Sequence, residues 1–250
     1  MVKQDVENVI NWIKQLFKDN PFAKGVVLGM SGGKDSLVVA KLCIEAIGKE
    51  KVFGVIMPNG EMKDILDAKR TCKFLEIPYT VININGAYSE ITQSTQTALN
   101  SYGIELSTDS KINIAPRVRM TTLYALAQSL GYFVANTSNL SEISTGYSTK
   151  WGDGVGDFAP IANFTKSEVC EMGHILGLPA DLVDKVPADG LSSMSDEEKM
   201  KITYSELDTL IRTGEKPACY EQIVKLNKAS KHKREGVTKY QNNFPNHLSN

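Results

Sequence analysis

An apolar run that leads into a cluster of glycines constrains this chain more than any other feature. Residues 25–36 read GVVLGMSGGKDS, and a helical pattern follows them. The β-branched run favours a strand, while Gly29, Gly32 and Gly33 tolerate positive φ and let the backbone approach an anion closely. Successive N–H groups and the start of the following helix direct positive charge toward the same point. The segment therefore predicts a strand, a phosphate-binding loop and a helix.

Spacing excludes two common nucleotide loops. A P-loop places a hydroxyl residue directly after its lysine, whereas Asp35 follows Lys34 here. The fingerprint G-x-G-x-x-G fails because Ser31 stands where its second glycine is needed. S-G-G-K-D-S instead resembles the signature of the ATP pyrophosphatases, which cleave ATP between its α- and β-phosphates. The alternative is an ordinary strand-turn-helix corner with a serine cap.

Helical and extended patterns alternate along the first half of the chain. Strands are predicted at 25–29, 52–57, 79–84 and 132–135, and helices at 3–18, 37–47, 61–76 and 119–130. Strands separated by helical crossovers form a parallel sheet with helices on both faces. We therefore expect an α/β fold in which an open, Rossmann-like parallel sheet forms one domain over residues 1–250. Residues 86–113 are polar and weakly patterned, which is typical of a loop or a lid.

Composition and charge exclude several classes of function. The net charge is −1, so no global field attracts nucleic acid or an anionic membrane. No apolar run approaches the length of a membrane span, and the N-terminus lacks the apolar core of a signal peptide. The four cysteines and three histidines are scattered, which favours reduced thiols in the cytoplasm over disulfides, a structural zinc site or a histidine metal cluster.

Phosphoryl chemistry on ATP requires magnesium and a cation that neutralises the leaving pyrophosphate. Glu142 lies a few residues beyond a predicted strand end, although a lone carboxylate there is equally typical of a solvated helix cap. Lys166 follows Thr165, which has capping-box spacing with Glu168. A helix N-terminus that carries a lysine is also an anion site, so both interpretations of Lys166 remain open.

Three further segments carry charge in less specific patterns. The glycine-rich segment 150–157 holds Asp153 and Asp157, which are more typical of hydrogen-bond acceptors for a ligand than of a calcium loop. Arg117 and Arg119 flank a valine at the start of a predicted helix, where a surface basic pair is the usual interpretation. The basic run 228–234 is short and indicates a solvated helix end rather than a nucleic-acid surface.

Taken in order, S-G-G-K-D-S, R-V-R-M, N-T-S-N-L-S-E-x-x-x-G-Y, T-K-W-G-D-G-x-G-D, F-T-K and H-K-R resemble the ammonia-dependent NAD synthetases over essentially the whole chain. That family has the adenine nucleotide α-hydrolase type of Rossmann-like fold. The resemblance implies a ligase that amidates deamido-NAD with ammonia in the final step of NAD biosynthesis. ATP is consumed to AMP and pyrophosphate through an acyl-adenylate, and Mg²⁺ is required. The implied assembly is a homodimer with the dinucleotide along the subunit interface, with no glutaminase domain and no nucleic-acid or membrane partner.

The resemblance also implies roles for individual residues. The ATP-binding positions are Gly29, Met30, Ser31, Gly32, Gly33, Lys34, Asp35, Ser36, Met57 beside the adenine, Thr137 and Lys166. Asp35 and Glu142 hold the metal ion. The deamido-NAD positions are Arg117, Lys150, Asp153, Asp157, His232 and Lys233. The catalytic positions are Asp35, Lys166 and Asp153, the last as the base that takes a proton from ammonium.

The chain departs from the family pattern at two places. Ala188 stands where the family often has a hydroxyl residue that contacts ATP, and Gly236 follows H-K-R where prolines are common. Two alternative functions share the same loop. One is another ATP pyrophosphatase that adenylates a different carboxylate or base, and the other is a non-catalytic nucleotide-sensing domain.

Overall fold

The structure, a computed structural model, describes residues 3–60, 65–185 and 196–240. Its centre is a four-stranded parallel sheet with the strand order β3-β2-β1-β4. The strands are β1 (Val26–Gly29), β2 (Val52–Ile56), β3 (Tyr79–Val81) and β4 (Phe133–Val134). All four predicted strands are therefore confirmed, β1 and β2 being one residue shorter than predicted and β3 and β4 two or three residues shorter.

Twelve α-helices lie within these residues. They are α1 (Lys3–Asp19), α2 (Lys34–Ile47), α3 (Ile65–Phe74), α4 (Asn85–Asn100), α5 (Thr108–Leu130), α6 (Leu140–Thr145), α7 (Lys166–Ile175), α8 (Ala180–Val183), α9 (Asp196–Met200), α10 (Tyr204–Thr213), α11 (Tyr220–Ala229) and α12 (Lys231–Arg234). The first four residues of the helix predicted at 61–76 lie outside the described residues. None of the described helices is both long and apolar enough to cross a membrane.

Both faces of the sheet are covered, and β1 shows why. Val26 and Leu28 pack into an apolar cluster with α1, α2, α3 and α7, while Val27 packs into a second cluster with α5 on the opposite face. All three valine and leucine side chains are fully buried. Alternate strand residues point to opposite faces, so a strand buried on both sides needs a continuous apolar sequence. The predicted α/β fold is thus confirmed, while the single-domain boundaries 1–250 stay a prediction.

The loop or lid expected at 86–113 is largely helical. Residues 85–100 form α4, and α5 begins at Thr108, eleven residues before the helix predicted at 119–130. Helix α4 has few apolar residues and buries none of them, so the apolar pattern that signals a helix is weak. Pro116 lies inside α5, where sequence rules place a helix end. The expectation of a loop was wrong. The helix α5 packs on β1 and β4, and α4 packs on α5; a lid role for this region stays a prediction.

Candidate active site

The predicted phosphate-binding loop connects β1 to α2 at the carboxyl end of the central strand. Of its glycines, only Gly32 has positive φ, at 83°. Gly33 has φ −89°, and a Cβ there would lie 3.2 Å from Ser31 Oγ. Gly32 is therefore favoured by its backbone conformation, whereas a Cβ at Gly33 would require Ser31 Oγ to shift by a few tenths of an ångström.

The start of α2 is left open to a ligand. No side chain caps this terminus. Ser31 Oγ accepts a hydrogen bond from Gly33 N at 3.1 Å, and Ser36 Oγ donates to Gly33 O at 3.0 Å, so both hydroxyls stabilise the loop itself. The first N–H groups of a helix need acceptors, and an anion supplies them. The local geometry is that of an anion site.

Three charged side chains meet beside this loop. Lys166 Nζ lies 2.7 Å from Asp35 Oδ2 and 3.0 Å from Glu142 Oε1. The lysine side chain is 7% exposed, and the two carboxylates are 18% and 17% exposed. The lysine nitrogen also lies 5.2 Å from the centre of the Tyr204 ring. The structure therefore brings together the three residues that the sequence assigned to metal binding and pyrophosphate stabilisation. With both carboxylates ionised, the cluster has a net charge of −1.

Burial perturbs this cluster strongly. It raises the pKa of Glu142 to about 7, an effect that Lys166 opposes and Asp35 reinforces. Burial alone would lower the pKa of Lys166, but the two neighbouring carboxylates raise it well above its ordinary value. The lysine therefore stays protonated, while Glu142 is partly protonated at neutral pH in the metal-free protein. Two carboxylates under mutual repulsion form a set that suits a divalent cation with oxygen ligands.

Asn139 joins the loop to the helix that carries Glu142. It is fully buried and caps α6, accepting a hydrogen bond from Glu142 N at 3.0 Å. Its Nδ2 donates to Asp35 Oδ1 at 3.1 Å, and its backbone N donates to Glu142 Oε2 at 3.3 Å. The sequence analysis quoted Asn139 in a motif but assigned it no role. The capping-box spacing N-x-x-E was the signal that could have identified it.

Asp208, on α10, positions the start of α7 and was missed. It is buried, and it accepts hydrogen bonds from Ser141 Oγ at 2.5 Å and from Ser167 N and Oγ at 2.9 and 2.6 Å. Ser141 Oγ in turn accepts from Lys166 N at 3.0 Å. The carboxylate thus fixes the backbone from which Lys166 extends. The sequence around Asp208 does not predict this role, because its hydrogen-bond partners are 41 and 67 residues away.

The predicted dinucleotide-binding aspartates lie in the loop that follows α6. Asp153 Oδ1 accepts from Thr149 N at 2.7 Å, and burial of its carboxylate raises the pKa of Asp153. Asp157 Oδ2 accepts from Val134 N at 2.7 Å, next to β4. The side-chain amide of Asn136 ties the loop to the strand end by donating to Asp153 O at 3.1 Å. Both aspartates are therefore held near the same sheet edge as the charged cluster.

One basic residue is placed differently from the expectation. Arg117 and Arg119 lie within α5 rather than at a helix start. Arg117 is exposed and its Nε donates to Lys150 O at 3.3 Å. Arg119 is only partly exposed: its Nε donates to Met57 O at 3.0 Å, and burial lowers its pKa. The surface-pair interpretation was wrong for Arg119, because α5 extends over the sheet and turns this side chain toward the end of β2.

The remaining predicted residues surround these groups. Lys233 Nζ donates to Gly146 O and Ser148 O, both at 2.7 Å, and so ties α12 to the end of α6. His232 is exposed, and Thr137 follows β4. The ligand roles of all these residues stay predictions. Ala188 lies outside the described residues.

Comparisons with known proteins identify similar sequences and structures over nearly the full length. The NAD synthase family model matches residues 5–245. An NH(3)-dependent NAD(+) synthetase from Pyrococcus furiosus is 40% identical, with 94% of each chain covered. A structure titled NMN synthetase from Francisella tularensis is 33% identical with a TM-score of 0.86, covering 98% of this chain and 100% of that one. An NH3-dependent NAD synthetase structure from Campylobacter jejuni is 30% identical with a TM-score of 0.73, covering 96% and 100%.

Proposed function

The chain belongs to the NAD synthase family, and from this membership we propose that it is a ligase that makes NAD from deamido-NAD, ATP and ammonia. The contact that supports this most directly is Lys166 Nζ between Asp35 and Glu142, beside the loop after β1. That arrangement would put a fixed cation and two oxygen donors beside the phosphates of a nucleotide bound at the start of α2. A domain that only sensed a nucleotide would have no use for it.

The proposed reaction has two steps. The nicotinate carboxylate attacks the α-phosphorus of ATP, the bond between the α-phosphorus and the bridging oxygen breaks, and pyrophosphate leaves. Ammonia then attacks the carbonyl of the acyl-adenylate, and AMP departs with its bonding electrons. Adenylation is needed because a free carboxylate would have to expel oxide. The protein's contribution is mainly to position the reactants and to neutralise charge.

The residues of the charged cluster divide the first step between them. The N–H groups at the start of α2 would bind the β- and γ-phosphates, and Lys166 would neutralise the charge that develops on pyrophosphate. A magnesium ion bound by Asp35 and Glu142 would supply further positive charge beside the same oxygens. The donor set fits this ion, because it consists of two carboxylates with a net excess of negative charge.

Asp153 is the proposed base of the second step. Ammonium has no free electron pair and must lose a proton before it can attack. Asp153 is an exposed residue, but desolvation of its carboxylate raises its pKa, which makes it a stronger base than an ordinary aspartate. Asp153→Asn keeps the oxygen that accepts from Thr149 N, so it should depress amidation while pyrophosphate release from ATP continues. Unchanged rates of both steps would reject Asp153 as the base.

We further propose a cytoplasmic homodimer. The four cysteines of the chain are free thiols, as expected in a reducing compartment. Four large apolar side chains along α4, the following turn and α5 are exposed: Ile91, Tyr102, Ile104 and Ile112. An exposed apolar surface of this kind is typical of a protein interface. Sedimentation at micromolar concentration would test the dimer, and Tyr102→Glu with Ile112→Glu should give monomers.

A second candidate substrate has support of its own. The Francisella tularensis structure with a TM-score of 0.86 is titled an NMN synthetase, so the acid form of the mononucleotide is a candidate acceptor. The discriminating assay supplies ATP, Mg²⁺ and ammonium with either the dinucleotide or the mononucleotide acid. AMP together with NAD supports the proposal, and a higher kcat/KM with the mononucleotide supports the alternative. ADP and orthophosphate as products would reject both.

A further inference from the structure

A second group of titratable side chains lies outside the charged cluster. Cys170, His174 and Asp184 have their donor atoms within 4.8 Å of one another. His174 Nε2 is 3.0 Å from Asp184 Oδ1, and Cys170 Sγ is 3.5 Å from the same oxygen. Among the described residues this is the one place where three histidine, cysteine or acidic side chains come together in this way. The scattered positions in the sequence predicted no such cluster.

The fold explains how the three residues meet. Cys170 and His174 are four residues apart on α7, so they lie on one face of that helix. Asp184 follows α8, which packs back against α7. A Cβ on Gly173 would lie 2.8 Å from Val183 Cγ2, so the glycine is what lets the end of α8 approach this closely. The cluster is therefore part of the packing of two helices and not a chance meeting of long surface side chains.

Two of the three distances between donor atoms are close to those around a tetrahedral ion, and the third is within 4.8 Å. With metal–sulfur bonds of about 2.3 Å and bonds to nitrogen or oxygen of about 2.1 Å, ligand atoms lie about 3.4–3.6 Å apart. The distance of 3.5 Å between Cys170 Sγ and Asp184 Oδ1 already has that value. The His174–Asp184 separation of 3.0 Å would open by about 0.4 Å to reach it. His174 and Asp184 are exposed, so an ion can enter without opening the core and can keep water as its fourth ligand.

The charges at this position also favour a dication. A thiolate and a carboxylate together contribute a charge of −2, which the charge of a divalent ion balances. Desolvation, together with Asp184, raises the pKa of Cys170, while Lys34 Nζ, 3.8 Å from Cys170 Sγ, opposes this rise, so a bound metal ion has to displace the thiol proton. Because the filled site would carry no net charge, the repulsion between Lys34 and the ion is offset by the ligands.

We propose that Cys170, His174 and Asp184 form a binding site for a divalent transition metal ion of the Zn²⁺ or Co²⁺ type, beside the phosphate-binding loop. A metal–sulfur bond replaces the S–H bond, and the thiol proton passes to solvent. Sulfur and imidazole nitrogen select such ions over Mg²⁺, which prefers oxygen ligands like those of Asp35 and Glu142. The site is thus chemically distinct from the proposed magnesium site, and it does not depend on the proposed reaction.

Cobalt provides a direct test, because thiolate ligation produces a charge-transfer absorption that oxygen ligands do not. The full-length protein is stripped with EDTA, desalted and titrated with Co²⁺ alone. We expect one saturable equivalent with this absorption, which Zn²⁺ then abolishes. Cys170→Ser should remove the absorption. His174→Gln should weaken Co²⁺ binding at least tenfold, roughly the lower end of what even loss of an outer-shell partner costs.

Two controls keep the result interpretable. Cys219→Ser alters the other half-buried thiol and should leave the absorption unchanged. His174 is exposed, so His174→Gln should keep the circular dichroism spectrum of the parent. No charge-transfer absorption in the parent protein, its persistence in Cys170→Ser, or unaltered affinity in both His174→Gln and Asp184→Asn would overturn the proposal. None of these readouts requires NAD synthesis, so a failure of the proposed function would leave the test intact.

Discussion

Replacing Lys166 by methionine removes the positive charge that separates two carboxylates beside β1. Its Nζ lies 2.7 Å from Asp35 and 3.0 Å from Glu142, so the cluster changes from a net charge of −1 to −2. Breaking a buried ion pair by removing one partner costs about 3–5 kcal/mol. The carboxylates keep 18% and 17% of their surface exposed, which relieves part of this cost. We expect a loss of about 3 kcal/mol in the free energy of unfolding at pH 8.5 without Mg²⁺.

The loss should depend on pH with a definite sign. The pKa of Glu142 is raised to about 7 in the folded protein, from an ordinary value of 4.5, so a proton on Glu142 favours folding. This stabilisation is complete below pH 4.5 and is lost as the pH rises through 7. Without Lys166 the pKa of Glu142 rises further, because the lysine charge lowers it. Protonation at pH 6 then removes the repulsion, and the loss should fall to about 1–2 kcal/mol.

Urea unfolding after EDTA treatment, at pH 6 and at pH 8.5, measures both values. Lys41→Met is the matched control: Lys41 pairs with Glu45 four residues away on the surface of α2. Such a pair contributes at most about 0.5 kcal/mol, with little dependence on pH over this range. Equal losses for the two variants, or a loss for Lys166→Met that does not grow with pH, would refute the charge arrangement inferred here.

The remaining predictions concern positioning, backbone conformation and metal dependence. Asp208→Asn should lower the free energy of unfolding by about 2 kcal/mol. It should also raise the KM for ATP more than it lowers kcat. An unchanged KM in steady-state kinetics would contradict the role of Asp208 in placing Lys166. Gly146 has φ 68°, and the Cβ of Gly146→Ala would lie 2.0 Å from Ser230 Cβ. This variant should destabilise the protein by more than about 2 kcal/mol in urea unfolding. Gly214→Ala, with φ 78° and open space, should lose only about 1 kcal/mol, and equal losses would show that the clash is relieved. Chelation of divalent ions should stop pyrophosphate release. Glu142→Gln should raise the Mg²⁺ concentration that gives the half-maximal rate at least about tenfold. An unchanged Mg²⁺ dependence in this variant would show that the ion binds elsewhere.

The sequence by itself determined the features that are encoded within a few neighbouring residues. The loop between β1 and α2 is one continuous segment, so its glycines, its hydroxyls and the helix that follows could be identified from their order. Strands β1 and β2 were equally clear, because burial on both faces requires a continuous apolar run. The ordered motifs identified the family for the same reason, since each is a short stretch with fixed spacing.

Only the tertiary structure decided which distant residues meet and which are buried. Asp208 supports α7 from 41 residues away, and Arg119 is a partly buried donor to Met57 O because α5 is longer than its sequence pattern indicated. The helix α4 was missed because it buries no side chain fully, and so its sequence carries little periodicity. Cys170 and Asp184 are far apart in the sequence, and the packing of α8 on α7 brings them together. Burial and pKa depend on all the groups that surround a side chain in space, and a linear pattern contains only its neighbours along the chain.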